Sequence, residues 1–248
     1  MNDARMPFTQ HLEELRRRLF IALAGVGVGF LVCYYFADRL LTFLQKPLSE
    51  KLIFLAPTEA FFVHLKVALY AGIFLSLPLT LYEIWMFVVP GLLEREKRYV
   101  LPFVIGSAAA FGVGGAFAYL LVLPYGLVFL LSFGTESIVP QIALGYYISF
   151  SFTLVFAFGL VFELPLVTVL LVQLGVITPE FLRRRRRYVI VLAFVLAALL
   201  TPPDVFTQAM LAGPLIVLYE LSILVARLIE RGKRKEAEAE EAKSAGPV

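Results

Sequence analysis

Six apolar stretches, divided by polar or turn-forming segments, constrain this chain more than any other feature. They are Leu19–Ala37, Phe61–Val89, Tyr99–Leu123, Tyr147–Val176, Tyr188–Leu200 and Gln208–Ala226. A hydrocarbon core offers no partner to a peptide N–H or C=O, so a continuous segment that crosses it closes its own hydrogen bonds as a helix. About 20 apolar residues are needed to span, and the first four stretches meet that length. The fifth reaches roughly 20 Å against a core of ~30 Å before Thr201-Pro202-Pro203-Asp204 stops it, because two prolines cannot continue a helix. The expected architecture is therefore an all-α membrane protein of six spans whose last two helices form a short hairpin. With 248 residues, 60% hydrophobic and only 17% charged, against about 25% charged in soluble domains, the chain reads as one integral membrane domain. Residues 230–248, a Glu/Ala/Lys-rich tail, are expected to be disordered or frayed helix.

Basic residues orient the bundle. Arg5 and Arg16 to Arg18 precede span one, Arg95, Lys97 and Arg98 separate spans two and three, and Arg183 to Arg187 separate spans four and five. Arg227, Arg231, Lys233, Arg234, Lys235 and Lys243 follow span six, leaving only Arg39, Lys46, Lys51 and Lys66 for the opposite side. The positive-inside rule predicts that both termini are cytoplasmic. The first stretch lacks a following small-residue cleavage site and reads as a retained span. On the outer side, Asp38–Ala56 reads as a short interfacial helix ended by Pro47, and Ser132–Gly145 as a second loop. The arginine run is what a cytoplasmic loop should carry, so a nucleic-acid partner is not expected. Cys33 is the single cysteine, which excludes a disulfide within the chain.

Glu163 is the only charge between Ser137 and Pro179. An ionisable group at that depth costs roughly 2.5–3.5 kcal/mol or more, so it is expected to face protein, water or a substrate path. Pro165, two residues later, removes a backbone donor and should bend the helix near Val161. Carboxylates also lie within the basic segments: Glu13 and Glu14 before Arg16, and Glu94 and Glu96 beside Arg95, Lys97 and Arg98. Glu14/Arg18 and Glu94/Arg98 are spaced for pairing along one helix face. Glu96 has Val100 four residues on and is the freer acceptor. Gly25 and Gly29, and Gly112, Gly114 and Gly115, are read as close-packing positions. No H-E-x-x-H, G-x-S-x-G or P-loop pattern occurs, and His11, His64 and Cys33 are too few and too scattered for a soft-metal site. No enzyme, cofactor or metal is expected. A proton- or ion-coupled secondary transporter using Glu163 is the competing reading, although paired broken helices in matching halves are represented only by Leu-Pro-Leu at 77–79 and 164–166.

Several segments, in order, resemble the TatC family, the multispanning receptor subunit of the twin-arginine protein translocase. They are His11-Leu12-Glu13-Glu14-Leu15-Arg16-Arg17-Arg18, Tyr82-Glu83-Ile84-Trp85-Met86-Phe87 with Pro90-Gly91-Leu92 and Glu94 to Arg98, Ala157-Phe158-Gly159 through Phe162-Glu163-Leu164-Pro165, and Leu200-Thr201-Pro202-Pro203-Asp204-Val205-Phe206-Thr207-Gln208. The resemblance covers about residues 8 to 227. It implies a glove-like bundle with a concave face, a cytoplasmic-membrane location, and recognition of Arg-Arg signal peptides on folded cargo, driven by protonmotive force. It also implies TatA and/or TatB single-span partners, contact with membrane lipids, and a homo-oligomer within a receptor complex. Glu96 matches the signal-binding glutamate, with Glu14 as second acceptor, Phe87 and Leu92 flanking the motif, and Arg16 orienting the carboxylates. Glu163 matches an intramembrane polar position, and Thr201 and Gln208 match partner-docking positions. Arg17 adds a cation beside Arg16, and Glu94 adds a second carboxylate beside Glu96.

Overall fold

A computed structural model describes residues 8–48, 50–88, 100–135, 140–200 and 205–244. Apart from one pair of two-residue strands, the regular structure is helical: α1 Phe8–Tyr35, α2 Ala37–Gln45, α3 Glu59–Val88, α4 Val100–Phe117, a π-helical turn Ala118–Val122, α5 Leu123–Leu131, α6 Leu144–Phe162, α7 Leu164–Gln173, α8 Pro179–Leu200 and α9 Val205–Ser244. Among the described residues, five helical stretches are long and apolar enough to cross a membrane: Thr9–Tyr35, Glu59–Phe87, Leu101–Leu131, Leu144–Gln173 and Gln208–Gly232. α8 is 22 residues long, but its first half carries Arg183 to Arg187, so its apolar part stays short.

Each departure from the expected boundaries has a local cause. The third stretch does not stop at Leu123, because the Leu123 N–H reaches back five residues to the Ala118 carbonyl. That π-turn absorbs the donor missing at Pro124, and the helix runs on to Leu131. The fourth breaks at Glu163, as Pro165 requires, and resumes as α7. It ends at Gln173 rather than Val176, because Gly175 takes φ 71°. The Val176 N–H then returns 2.9 Å to the Leu171 carbonyl and the Gly175 N–H 3.1 Å to that of Val172, a Schellman closure. The expected short final hairpin is corrected in its helix lengths, since α9 is 40 residues long. The arginine run lies inside α8 rather than in a loop, and the tail is helical to Ser244. Arg, Lys, Glu and Ala are good helix formers, and a helix already nucleated upstream propagates through them.

Two backbone approaches set the packing. α1 and α3 cross so closely that a Cβ on Gly29 would lie 2.6 Å from the Gly72 carbonyl oxygen, and one on Gly25 would lie 2.5 Å from the Leu79 side chain. α4 and α6 meet where a Cβ on Gly114 would lie 2.6 Å from the Phe158 carbonyl and the Phe111 ring covers Gly159. Small residues at these points let the helices pack at short range. Between them Tyr70 stacks on Phe152 at 4.7 Å, and Phe74, Phe111 and Phe156 meet edge to face. α8 packs on α9, and α9 also packs on α7. At the end away from the arginines, α2 lies against α3, and Leu52–Ile53 pairs in parallel with Ile142–Ala143. Glu59 secures that pairing, accepting from the Leu55 N–H at 2.6 Å and the Gly145 N–H at 2.7 Å.

Candidate functional site

The register set at the Gly29–Gly72 crossing continues down α1 and α3 to the end that carries the N-terminal basic segment. There Arg18 faces Glu83, and His11 stacks on Phe87 with ring centroids 4.2 Å apart. The Arg18 guanidinium donates through Nε (3.0 Å) and Nη2 (2.6 Å) to Oε1 of Glu14, and through Nη1 (3.1 Å) to Oε2 of Glu83. Glu83 is 7% exposed, and Oε2 of Glu14 is shielded without a hydrogen-bond partner. One cation thus joins two carboxylates from two helices at partial burial, where such pairs are screened less than at the surface. Beside them opens a cleft of about 690 Å³ lined by Gln10, Glu13, Glu14, Arg16, Arg17, Arg18, Phe20, Ile21, Tyr82 and Glu83. Carboxylates with forked geometry, next to apolar and aromatic surface, can bind a planar guanidinium and its aliphatic stem.

Among the described residues, Arg16, expected to orient the carboxylates, lines the cleft without bridging Glu14 and Glu83. It is exposed, with its guanidinium 5.7 Å from the Phe20 ring centroid, and Arg18 takes the bridging position instead. The helical repeat explains why Arg18 makes the bridge, because it is four residues from Glu14 and shares its face whereas Arg16 is only two away. Phe87 is partly buried under His11. Leu92, Glu94 and Glu96 lie outside the described residues, as does Thr201, whereas Gln208 is partly buried in the first turn of α9. Sequence reasoning singled out no role for Glu83. It is the only charge between Lys66 and Glu94, so the isolation that drew attention to Glu163 would have found it too.

Glu163 occupies the break between α6 and α7 and is 8% exposed. Its carboxyl is hydrogen-bonded to the hydroxyl of Ser107, itself 3% exposed, while Oε1 has no partner. Ser107, Phe111 and Gly114 recur at the spacing of one helix face, so the close α4–α6 approach carries Ser107 to the carboxyl. The half of the bundle nearer α2 holds a separate, apolar groove of about 510 Å³, lined among others by Cys33, Phe43, Phe74, Gly112, Tyr119 and Phe152. Among the described residues no group of His, Cys, Asp and Glu is arranged to hold a metal ion.

Comparison with known proteins places this geometry. Residues 10–214 match the family model described as Sec-independent protein translocase protein (TatC). The chain is 46% identical over 246 residues to the Sec-independent protein translocase protein TatC of Desulforapulum autotrophicum, covering 97% of this chain and 90% of that one. The corresponding protein of Aquifex aeolicus is 42% identical over 237 residues, covering 93% and 98%. A crystal structure described as the twin arginine translocase receptor TatC superposes with a TM-score of 0.79 at 42% identity, covering 88% of this chain and 98% of its own. A second, of the same receptor in DDM, gives 0.80 at 42% identity, covering 87% and 99%.

Proposed function

Because this chain belongs to the TatC family of Sec-independent protein translocase components, we propose that it is the subunit that receives signal peptides carrying an Arg-Arg pair and nucleates the site where folded proteins cross. The family match makes it a multi-pass membrane component of protein transport rather than an enzyme. The observation that supports the receptor reading is the Glu14–Arg18–Glu83 cluster, a partly buried carboxylate pair opening on a cleft beside Phe20 and Tyr82. In this reading Glu96 and Glu14 accept the two guanidinium groups, and Phe87 and Leu92 contact the apolar residues around them. Arg16 contributes to the cleft wall.

In the same reading the chain spans the cytoplasmic membrane six times, with α8 as the short fifth span and both termini in the cytoplasm, as the basic residues require. The bundle presents a concave face bearing Glu163. Single-span TatA or TatB subunits dock at Thr201 and Gln208, several copies assemble in one receptor complex, and protonmotive force drives transport. A polar side chain offered to a partner's buried polar group in the membrane is worth about 0.6–2 kcal/mol. That suffices to select a docking face while leaving it reversible.

The test is binding of synthetic signal peptides to the full chain in nanodiscs, comparing Arg-Arg with Lys-Lys, on wild type and on Glu96→Ala. Preference for Arg-Arg that disappears in the variant is the expected result. Equal binding of both peptides by the wild type, repeated with the single-span partner present, would refute the receptor reading.

A further inference from the structure

Among the described residues, the cleft's lining charges balance in number, and Arg18 is paired with both Glu14 and Glu83. Glu13, Glu14 and Glu83 are equalled in number by Arg16, Arg17 and Arg18 among its lining residues, so an arriving Arg-Arg peptide meets cations already present beside the carboxylates. Glu14, moreover, is already engaged. Its Oε1 receives two donors from Arg18, at 2.6 and 3.0 Å, and its Oε2 is covered and unpaired. A peptide guanidinium can form a two-pronged contact with Glu14 only if Arg18 moves aside. The third donor of Arg18, Nη1, is meanwhile held by Glu83 at 3.1 Å from the neighbouring helix. This third bond has no part in presenting Glu14 to a ligand, and it gives the displaced side chain a place to rest.

We infer that Arg18 is an internal occupant of the guanidinium position on Glu14, and that recognition proceeds by exchange, with Glu83 retaining Arg18 as the peptide arginine replaces it. The proposal rests on the receptor reading above and adds an affinity threshold to it. A built-in guanidinium competitor raises the threshold for every cation. A peptide arginine can bring two parallel N–H donors to the two carboxylate oxygens, using the Oε2 that Arg18 leaves unpaired. A peptide lysine brings one compact ammonium that cannot reproduce the fork, so it loses the competition even though its charge is equal. Glu83 acts through Arg18 and is a positioning residue. Its burial at 7% exposure makes it a fixed anchor rather than a second landing point for solvent-borne ligands.

The experiment measures equilibrium binding of Arg-Arg and Lys-Lys signal peptides to the full chain in nanodiscs, on wild type, Arg18→Lys and Glu83→Gln, each checked for an unchanged melting profile. Arg18→Lys keeps the charge and removes the fork, so the competitor weakens for both peptides. Both peptides should gain about tenfold in affinity, equivalent to ~1.4 kcal/mol, with the Arg-Arg to Lys-Lys ratio unchanged. Glu83→Gln leaves Arg18 resting on Glu14 alone, so Arg-Arg binding should weaken. If Arg18→Lys does not fold, Glu83→Gln decides the matter. Unchanged or weaker Arg-Arg binding in Arg18→Lys, or unchanged or tighter Arg-Arg binding in Glu83→Gln, would overturn the exchange while wild-type preference for Arg-Arg left the receptor reading standing. Absence of preference in the wild type would overturn the receptor reading itself.

Discussion

Replacing Gly72 with alanine should lower stability and open the Glu14–Arg18–Glu83 cluster at once, although the substitution is far along the helix from it. A Cβ at Gly72 would lie 2.5 Å from the Phe30 backbone nitrogen, and 2.8 Å from the Gly29 carbonyl carbon and the Phe30 Cα. All three are main-chain atoms, so no side chain can rotate out of the way. Restoring ordinary van der Waals contact requires α1 and α3 to separate by about 1 Å. Overpacking of this kind costs about 1–3 kcal/mol. At the middle of that range a protein of this size loses roughly 4–8 °C in melting temperature. A comparable separation at Arg18 takes its 3.1 Å contact with Glu83 to about 4 Å, beyond hydrogen-bonding range. The matched control is Gly27→Ala on α1, the other helix of the crossing, where an added Cβ meets nothing within 4 Å. There, relief of glycine's conformational freedom should be neutral or stabilising by up to ~1 kcal/mol. Thermal unfolding in one detergent, followed by tryptophan fluorescence from Trp85, would compare the two. Equal melting temperatures for Gly72→Ala and Gly27→Ala would refute the argument that backbone contact at this crossing sets the α1–α3 register.

Two further outcomes are expected elsewhere in the bundle. Glu163→Gln keeps a polar group opposite Ser107, so the folded protein should accumulate in the membrane at wild-type levels while partner assembly or transport changes. Loss of the folded protein from the membrane would show that Glu163 serves only the fold. Glu59→Ala removes the acceptor for both the Leu55 and Gly145 amides. Hydrogen exchange at Leu52–Leu55 and at Gly145 should therefore quicken, with α1 and α3 unaffected; unchanged protection would mean that the strand pairing holds the loops without it.

Much of this protein was decided by side-chain chemistry along the chain alone. Continuous apolar runs in a medium without hydrogen-bond partners can only be helical, so the helical class follows from the sequence, whereas the described residues hold five helices long enough to cross rather than the six spans expected. The break at Glu163 also follows, because Pro165 removes a donor wherever its helix packs. The isolation of Glu163 in an apolar run marked it for the same local reason.

Contacts between helices were decided only by the tertiary structure. That Arg18 rather than Arg16 joins Glu14 to Glu83 depends on which faces of α1 and α3 meet, and backbone contact at Gly29 and Gly72 sets that register. That Ser107 reaches Glu163 depends likewise on the α4–α6 approach at Gly114 and Gly159. The pairing of Leu52–Ile53 with Ile142–Ala143 joins segments about ninety residues apart, beyond the reach of any local pattern. Periodicity tells each helix which side is apolar, but it does not say which neighbour that side will meet. A few glycines, by permitting contact that any Cβ would forbid, turn six apolar stretches into one specific arrangement of charges.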